Sequence, residues 1–435
     1  MPDNQASKPS VPLALPLRLG IALIVSALLI AAIWFTGRLG FSRLLTQYGA
    51  RATQGGLLEA LDEAVVLTPS DAEAHYVRGA ILANRGELGE AIKEYEKAAA
   101  LRPSDYYMWQ ALGMLRDRAE DEEGAIADLN EAVRLAPFYA RPRFLLGNLF
   151  FRAGRRDEAF EQLRRAVKSD ESLLPNVIDL AWGASGGDAE AVKRAIQPQT
   201  QTEHLALAHY FARRGKSSEV IEMIGAAGHV PKKDQQTLLD ELLAAKNYST
   251  AYVIWKYGGE GKLENSEQAV GRITDGGFEN INTLDEQGFG WQQRSEMQAV
   301  HISLDKDSPR EGAYSLRVDW SGDSNPAAGV LNQLVLVEPQ TRYHLRFAAR
   351  TQDIVTGGLP LLVVTDTSSK EEKVLGQSQP LPQGKSDWQE YSVDFATPEG
   401  SRAVRLNLQR RNCSDSPCPI FGHVWLDAVA LQKAS

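Results

Sequence analysis

The residues best equipped for chemistry are Cys413 and Cys418, set in the run NCSDSPCP and the only cysteines in the chain. A close pair with no others suits a small-loop disulfide, which forms in oxidising compartments. Two unpaired thiols of a reducing compartment are the alternative. Zinc needs about four ligands at finger-like spacing, and only His423 stands near. GASGG at 183–187 matches G-x-S-x-G, but that nucleophile works where a strand turns sharply into a helix. Here a helical pattern precedes it, so the glycines read as an interhelical turn. His204 and His209 lie off one helical face. No H-E-x-x-H motif, phosphate-binding glycine loop or dinucleotide fingerprint occurs. A glycosidase needs two carboxylates facing across a cleft, and nothing selects such a pair. The chain therefore reads as a binder, not an enzyme.

Binding needs a frame, and the middle of the chain supplies one. Gly79, Gly113 and Gly147 are equally spaced; so are Ala91, Ala125 and Ala159; Ala64, Ala98, Ala132 and Ala166; and Pro69, Pro103 and Pro137. Their shared period of about 34 residues marks a stacked helix-turn-helix solenoid. Small residues fall where paired helices press together, and proline ends each second helix because it cannot continue one. Full repeats start near Ala72, Tyr106 and Ala140, after a half repeat from about Leu57 to Leu67. Trp109, Leu112, Gly113, Ala125, Leu129, Ala132 and Pro137 form the best copy, and they resemble the tetratricopeptide repeat (TPR) consensus. Beyond Asp170 the register fades, but three more helical pairs are predicted. They are LPNVIDLAWGA with DAEAVKRAIQ, HLALAHYFARRG with SSEVIEMIGAAG, and DQQTLLDELLAAKN with STAYVIWKYGG. The last pair serves as the polar cap a solenoid needs.

The TPR resemblance implies an inner groove lined by the first helix of each repeat. The residues so placed are Tyr76, Asn84, Gln110, Met114, Arg118, Phe144, Asn148 and Arg152. Aromatics beside amides and arginines suit an extended peptide; the other reading is that they pack or solvate the concave face. The family's carboxylate-clamping lysine and asparagine set is incomplete, with Asn148 alone matching.

From Leu19 to Gly37 no residue is charged, and about 20 apolar residues span a bilayer as a helix. Ile33, Trp34 and Phe35 carry the apolar run past Ala31 and Ala32. This favours an uncleaved anchor over a signal peptide, whose apolar core is shorter. Lys8 and Arg18 before the run nearly balance Arg38, Arg43 and Arg51 after it, so charge leaves orientation open.

After Gly261 helical periodicity gives way to short alternating runs: YSLRVDW, RYHLRFAAR, LPLLVVTD, QEYSVDFAT, AVRLNLQR and HVWLDAVAL. Turn residues separate them, which predicts an all-β sandwich of about eight or nine strands. DGGFEN, GFGW, SPREGAYSLRVDW, LVEPQTRYHLRFAAR, DWQEYSVDFATPEG and VWLDAVAL follow one another. This ordered set resembles the galactose-binding-like jelly roll of carbohydrate-binding modules. That resemblance implies a structural calcium, for which Glu279 and Asp427 match, with carbonyls near Ser308 and Gly312. It also implies sugar contacts, for which Trp291, Trp320, Arg346, Asn407 and Gln409 are the candidates. Strand parity places Tyr343 in the core and Arg346, Asn407 and Gln409 on polar faces that meet sugar or plain solvent; Trp388 is expected in the core.

The 435 residues, 43% of them hydrophobic and 24% charged, are ordinary for folded protein, and a net charge of -9 argues against nucleic acid. The expected organisation is multidomain: a cytoplasmic tail (1–18), a transmembrane helix (19–37), a linker (38–54), an all-α TPR solenoid (55–258), a second linker (259–271) and a β jelly roll (272–433). The expected function is a scaffold of the bacterial envelope, single-pass in the inner membrane with its soluble domains periplasmic or extracellular. Protein partners would sit in the groove and a glycan on the sandwich, as in exopolysaccharide synthesis or export, with no required cofactor. A pure protein adaptor without sugar binding, and an enzyme with an unrecognised jelly-roll site, stay open.

Overall fold

The computed structural model describes residues 15–49, 56–260, 266–280, 288–293, 299–326, 328–369, 371–413 and 417–434. The chain divides into two compact units, one of residues 1–184 with 194–196, the other of 185–193 with 197–435.

In the first unit α1 (Leu15–Gly49) and α2 (Gly56–Leu67) precede three helix pairs. These are α3 (Ala72–Asn84) with α4 (Leu88–Leu101), α5 (Tyr106–Arg118) with α6 (Glu122–Leu135), and α7 (Ala140–Arg152) with α8 (Arg156–Ser169). α9 (Leu174–Ala184) follows. The periodic glycines explain the pairing. A Cβ on Gly79 would stand 2.6 Å from the Tyr95 ring, and on Gly113 or Gly147 2.8 Å from Cγ of Leu129 or Leu163. The periodic alanines Ala91, Ala98, Ala125, Ala132, Ala159 and Ala166 are wholly buried. Asp71 and Asp105, each two residues after a periodic proline, cap the next helix by accepting from the N–H of Glu73 and Tyr107.

α1 departs from expectation. Its Leu19–Thr46 stretch, of mean hydropathy 2.5 and unburied along its most apolar part, is long enough to cross a membrane; a signal sequence passes the same test. Residues 38–49, expected in a linker, continue the same helix. Nothing between Arg38 and Gly49 breaks it, and it packs on α2: Arg38 donates to the Val66 carbonyl at 3.2 Å and buried Ser42 to that of Ala64 at 3.1 Å.

The second unit holds α11 (Gln201–Ala212), α12 (Ser217–Ala227), α13 (Lys232–Ala244) and α14 (Tyr248–Glu260), after α10 (Ala189–Ile196). α11 packs with α12 and α13 with α14, two of the three further pairs; α9 and α10 follow one another in the chain. Gly186 and Gly187, both at positive φ, lie in the turn between α9 and α10. The expected boundary at 259–271 falls inside this unit because α14 packs with the segment that enters the strands. Phe289 lies 5.2 Å from Tyr252 and 5.8 Å from Trp255 between ring centroids. Gly288, at φ 109°, brings its backbone so near that a Cβ would meet Trp255 at 2.7 Å. Tyr248 donates to the Thr367 carbonyl at 2.6 Å.

The strands are β1 (Gln292–Gln293), β2 (Val300–Asp305), β3 (Ser315–Asp323), β4 (Leu331–Leu336), β5 (Arg342–Thr356), β6 (Pro360–Asp366), β7 (Lys373–Gln377), β8 (Gly384–Ala396), β9 (Ala403–Arg410) and β10 (Pro419–Lys433). They form two antiparallel sheets, β1-β4-β9-β6-β7 and β2-β3-β10-β5-β8. The six alternating runs became β3, β5, β6, β8, β9 and β10; β1, β2, β4 and β7 are additions to the pattern. Alternate residues meet in the core: Leu316, Val318 and Trp320 of β3, Tyr343, Leu345 and Phe347 of β5, Val404, Leu406 and Leu408 of β9. Gln333 of β4 is a polar residue among them. Fully buried, its amide accepts from the N–H of Thr274 at 3.1 Å and donates to that residue's carbonyl at 2.8 Å.

Candidate functional site

The solenoid repeats enclose a concave pocket of about 440 Å³. Five of the expected groove residues line it: Tyr76 and Asn84 of α3, Gln110, Met114 and Arg118 of α5. Tyr95, Tyr107 and Arg141 join them. These three escaped the sequence argument because they lie on a second helix or at helix starts, outside the positions the TPR resemblance selects. Tyr76 stacks on Tyr95 at 5.1 Å and donates to the Tyr107 hydroxyl at 3.2 Å. Burial raises the Tyr76 phenol pKa, so it stays protonated. Gln110 is only 3% exposed, and its Oε1 has no hydrogen-bond partner among the described residues.

The other three groove candidates lie on α7, away from this pocket. Asn148 donates to the Phe144 carbonyl at 2.9 Å. Arg152 is paired with Asp117 at 2.5 Å, a carboxylate that the consensus positions did not flag. The charge behind the pocket is anchored by Glu94. Burial opposes its ionisation, but hydrogen bonds from Lys97 and His75 hold it below the usual carboxylate range.

The glycan candidates do not form one site. Trp291 is 1% exposed, packs on Phe278 at 5.2 Å and donates its Nε1–H to the Asp275 carbonyl at 3.0 Å. Trp320 shares the inward parity of Leu316 and Val318 and is also core. Neither ring offers a face to sugar. Arg346 is exposed on β5, while Asn407 and Gln409 stand on β9 of the other sheet.

Register around Asn407 instead reveals a polar row. Gln292, Asn332, Asn407, Val363 and Gln377 are successive cross-strand partners through all five strands of the first sheet. Four of the five are amides on the face turned from the core, with Arg405 and Gln409 flanking on β9. Asn407 donates to Thr365 Oγ1 at 3.2 Å, and Arg405 pairs with Glu372 at 2.5 Å. Gln292, Asn332 and Gln377 could not be found from sequence without the pairing register.

The outer face of the second sheet differs. Trp425 pairs in register with Arg317 and Arg350, whose guanidinium carbons lie 5.2 and 4.0 Å from its ring. Trp388, expected in the core, is half-buried on β8 with Arg350 5.6 Å from its ring.

Glu279 and Asp427 hold the turn before β3. Asp427, fully buried, accepts from the N–H of Arg310 at 2.9 Å and of Glu311 at 3.1 Å; Glu279 accepts from Ala313 at 2.9 Å. Burial raises the Asp427 pKa against these donors, and the Glu279 charge adds to the rise. Calcium takes six to eight oxygens, whereas this turn presents N–H groups to both carboxylates. As arranged, the set does not fit calcium. Among the described residues no three His, Cys, Asp or Glu side chains cluster for a metal.

Cys413 and Cys418 are joined as a disulfide. Beneath it the buried Arg410 donates to the carbonyls of Gly358 at 3.2 Å and Cys418 at 2.8 Å and to Thr356 Oγ1 at 2.9 Å.

Residues 72–105 and 111–173 match two families described as Tetratricopeptide repeat, and residues 271–416 match one described as Carbohydrate binding domain. No curated protein matches the chain. Among solved structures, MamA 41-end from Desulfovibrio magneticus RS-1 is 20% identical over 48% of this chain and 97% of its own, with a TM-score of 0.30. Pseudomonas aeruginosa pilF is 19% identical over 48% and 99%, with a TM-score of 0.33. The Clostridium thermocellum xylanase Xyn10B CBM22-1-GH10 modules, complexed with xylohexaose, are 12% identical over 38% of this chain and 29% of that one, with a TM-score of 0.27.

Proposed function

We propose that this protein is a membrane-tethered, non-enzymatic scaffold. α1 holds it in the inner membrane, the solenoid pocket receives a partner protein, and the amide row of the first sheet meets a glycan on the periplasmic or outer side. Envelope assembly or exopolysaccharide synthesis and export is the process such a combination serves. The observation that carries the reading is the pocket: five residues chosen by repeat position converge on one concavity with a buried, unpartnered carbonyl oxygen at Gln110. Retention of the full chain on immobilised polysaccharides, compared with an Asn407→Ala, Gln409→Ala variant, tests the glycan half. Equal retention of both proteins would show that the row does not bind sugar.

The pure adaptor remains as a second reading because Trp291 and Trp320 are buried, which leaves the amide row without either ring to stack on a pyranose. Failure of every polysaccharide to retain the wild type would favour it. A periplasm-dependent reporter fused at the C-terminus tests the location, and its inactivity would overturn it.

A further inference from the structure

We propose that the pocket between α3 and α5 selects an internal acidic segment of its partner: an extended strand that lays an apolar side chain on the tyrosines, gives a backbone N–H to Gln110, and sets glutamate or aspartate side chains against Arg118 and Arg141. This rests on the groove reading above and names the class of peptide the groove takes.

Charge is the first argument. Arginines around the pocket are neutralised by the chain itself: Arg78 by Asp62 and Glu94, Arg116 by Glu96 and Asp128, Arg152 by Asp117. Arg118, at the end of α5, and Arg141, at the start of α7, both line the pocket and are exposed. Neither has an ion pair or hydrogen bond among the described residues. Two unpaired guanidiniums lining one pocket call for external carboxylates, which arginine binds in a charge-assisted fork.

The floor sets the second condition. An unpaired buried acceptor costs about 1–3 kcal/mol, and Gln110 Oε1 is relieved when its side chain turns into the pocket to meet an N–H donor. The same oxygen repels a carboxylate, so a free C-terminus does not suit the floor. The strand must continue through the pocket with its acid at the rim. Tyr76 gives its proton to Tyr107, which frees the Tyr107 hydroxyl hydrogen for the ligand. The stacked Tyr76–Tyr95 pair, with Ala80, Ala83 and Met114, provides the apolar wall.

The test uses the full chain in lipid nanodiscs and peptide libraries capped at both ends, with Leu-Ser-Glu, Leu-Ser-Gln or Leu-Ser-Lys fixed and the flanking positions random. Fluorescence polarisation should show the Glu library binding about tenfold more tightly than the Gln library. Arg118→Gln with Arg141→Gln should erase that difference, and Gln110→Leu should weaken both. Equal binding of the three libraries, or unchanged selectivity in the double arginine variant, overturns the acidic assignment but leaves the groove. Binding that requires an uncapped C-terminus overturns the internal-segment assignment. Absence of binding by every library, capped or free, overturns the groove reading and this inference with it.

Discussion

The solenoid and the sandwich solve the same problem with different geometry. In the repeats, packing and candidate binding residues are sorted by helix face: Gly113 and Leu112 turn inward on α5, while Met114 and Arg118 of that helix line the pocket. In the sandwich they alternate along one strand: Leu406 and Leu408 are core, and Asn407 and Gln409 between and beyond them face out. A helix therefore tolerates exchange of its binding residues as a group. A strand does not tolerate a shift of one position, because that exchanges the two faces.

The largest test of this contrast is Trp291→Ala, expected to cost about 3–5 kcal/mol in chemical unfolding of the sandwich because a full indole leaves the core. A variant of native stability that only lost polysaccharide retention would return Trp291 to the surface and break the comparison. Next is Gly113→Leu, expected to cost about 3 kcal/mol by forcing α5 from α6; circular dichroism melting reads it, and an unchanged midpoint would mean the pair is not close-packed. The pH dependence should differ too. Burial pushes the Asp128 carboxyl up to about 6 despite Arg116 at 3.1 Å. The native state thus holds the proton more tightly, so solenoid stability is lost as pH rises through about 6, on the order of 2 kcal/mol between about pH 4.5 and about pH 8. Asp128→Asn should flatten that slope, and an unaltered slope would assign it elsewhere. Smallest is Gln409→Ala, which should change unfolding by less than about 0.5 kcal/mol as a surface change; a larger loss would place Gln409 in a structural network.

The solenoid was legible because its determinants are local and repeated. Gly79, Gly113 and Gly147 fix each helix pair within one period, and the groove positions follow by counting. Tyr107 and Arg141 were missed since they reach the pocket from helix starts. The sandwich hid more. Trp291 follows two small glycine-bearing turns, and no parity could be assigned until β1 was seen to pair with β4. Strand parity alone turns Asn407 outward on β9, but its companions Gln292, Asn332 and Gln377 depend on long-range register that local spacing does not encode. Arg346 shared their parity argument yet belongs to the opposite sheet.

α1 has no joint. Its 35 residues make a rod of about 50 Å, longer than the roughly 30 Å depth of a hydrocarbon layer. Its last turns are the part locked to α2 through Arg38 and Ser42. Were this rod to stand in a bilayer, any tilt it took would pass without a hinge to α2 and the first repeat. On the proposed anchored reading, the bilayer would act as a goniometer for the repeats, aiming the pocket mouth through a joint-free rod.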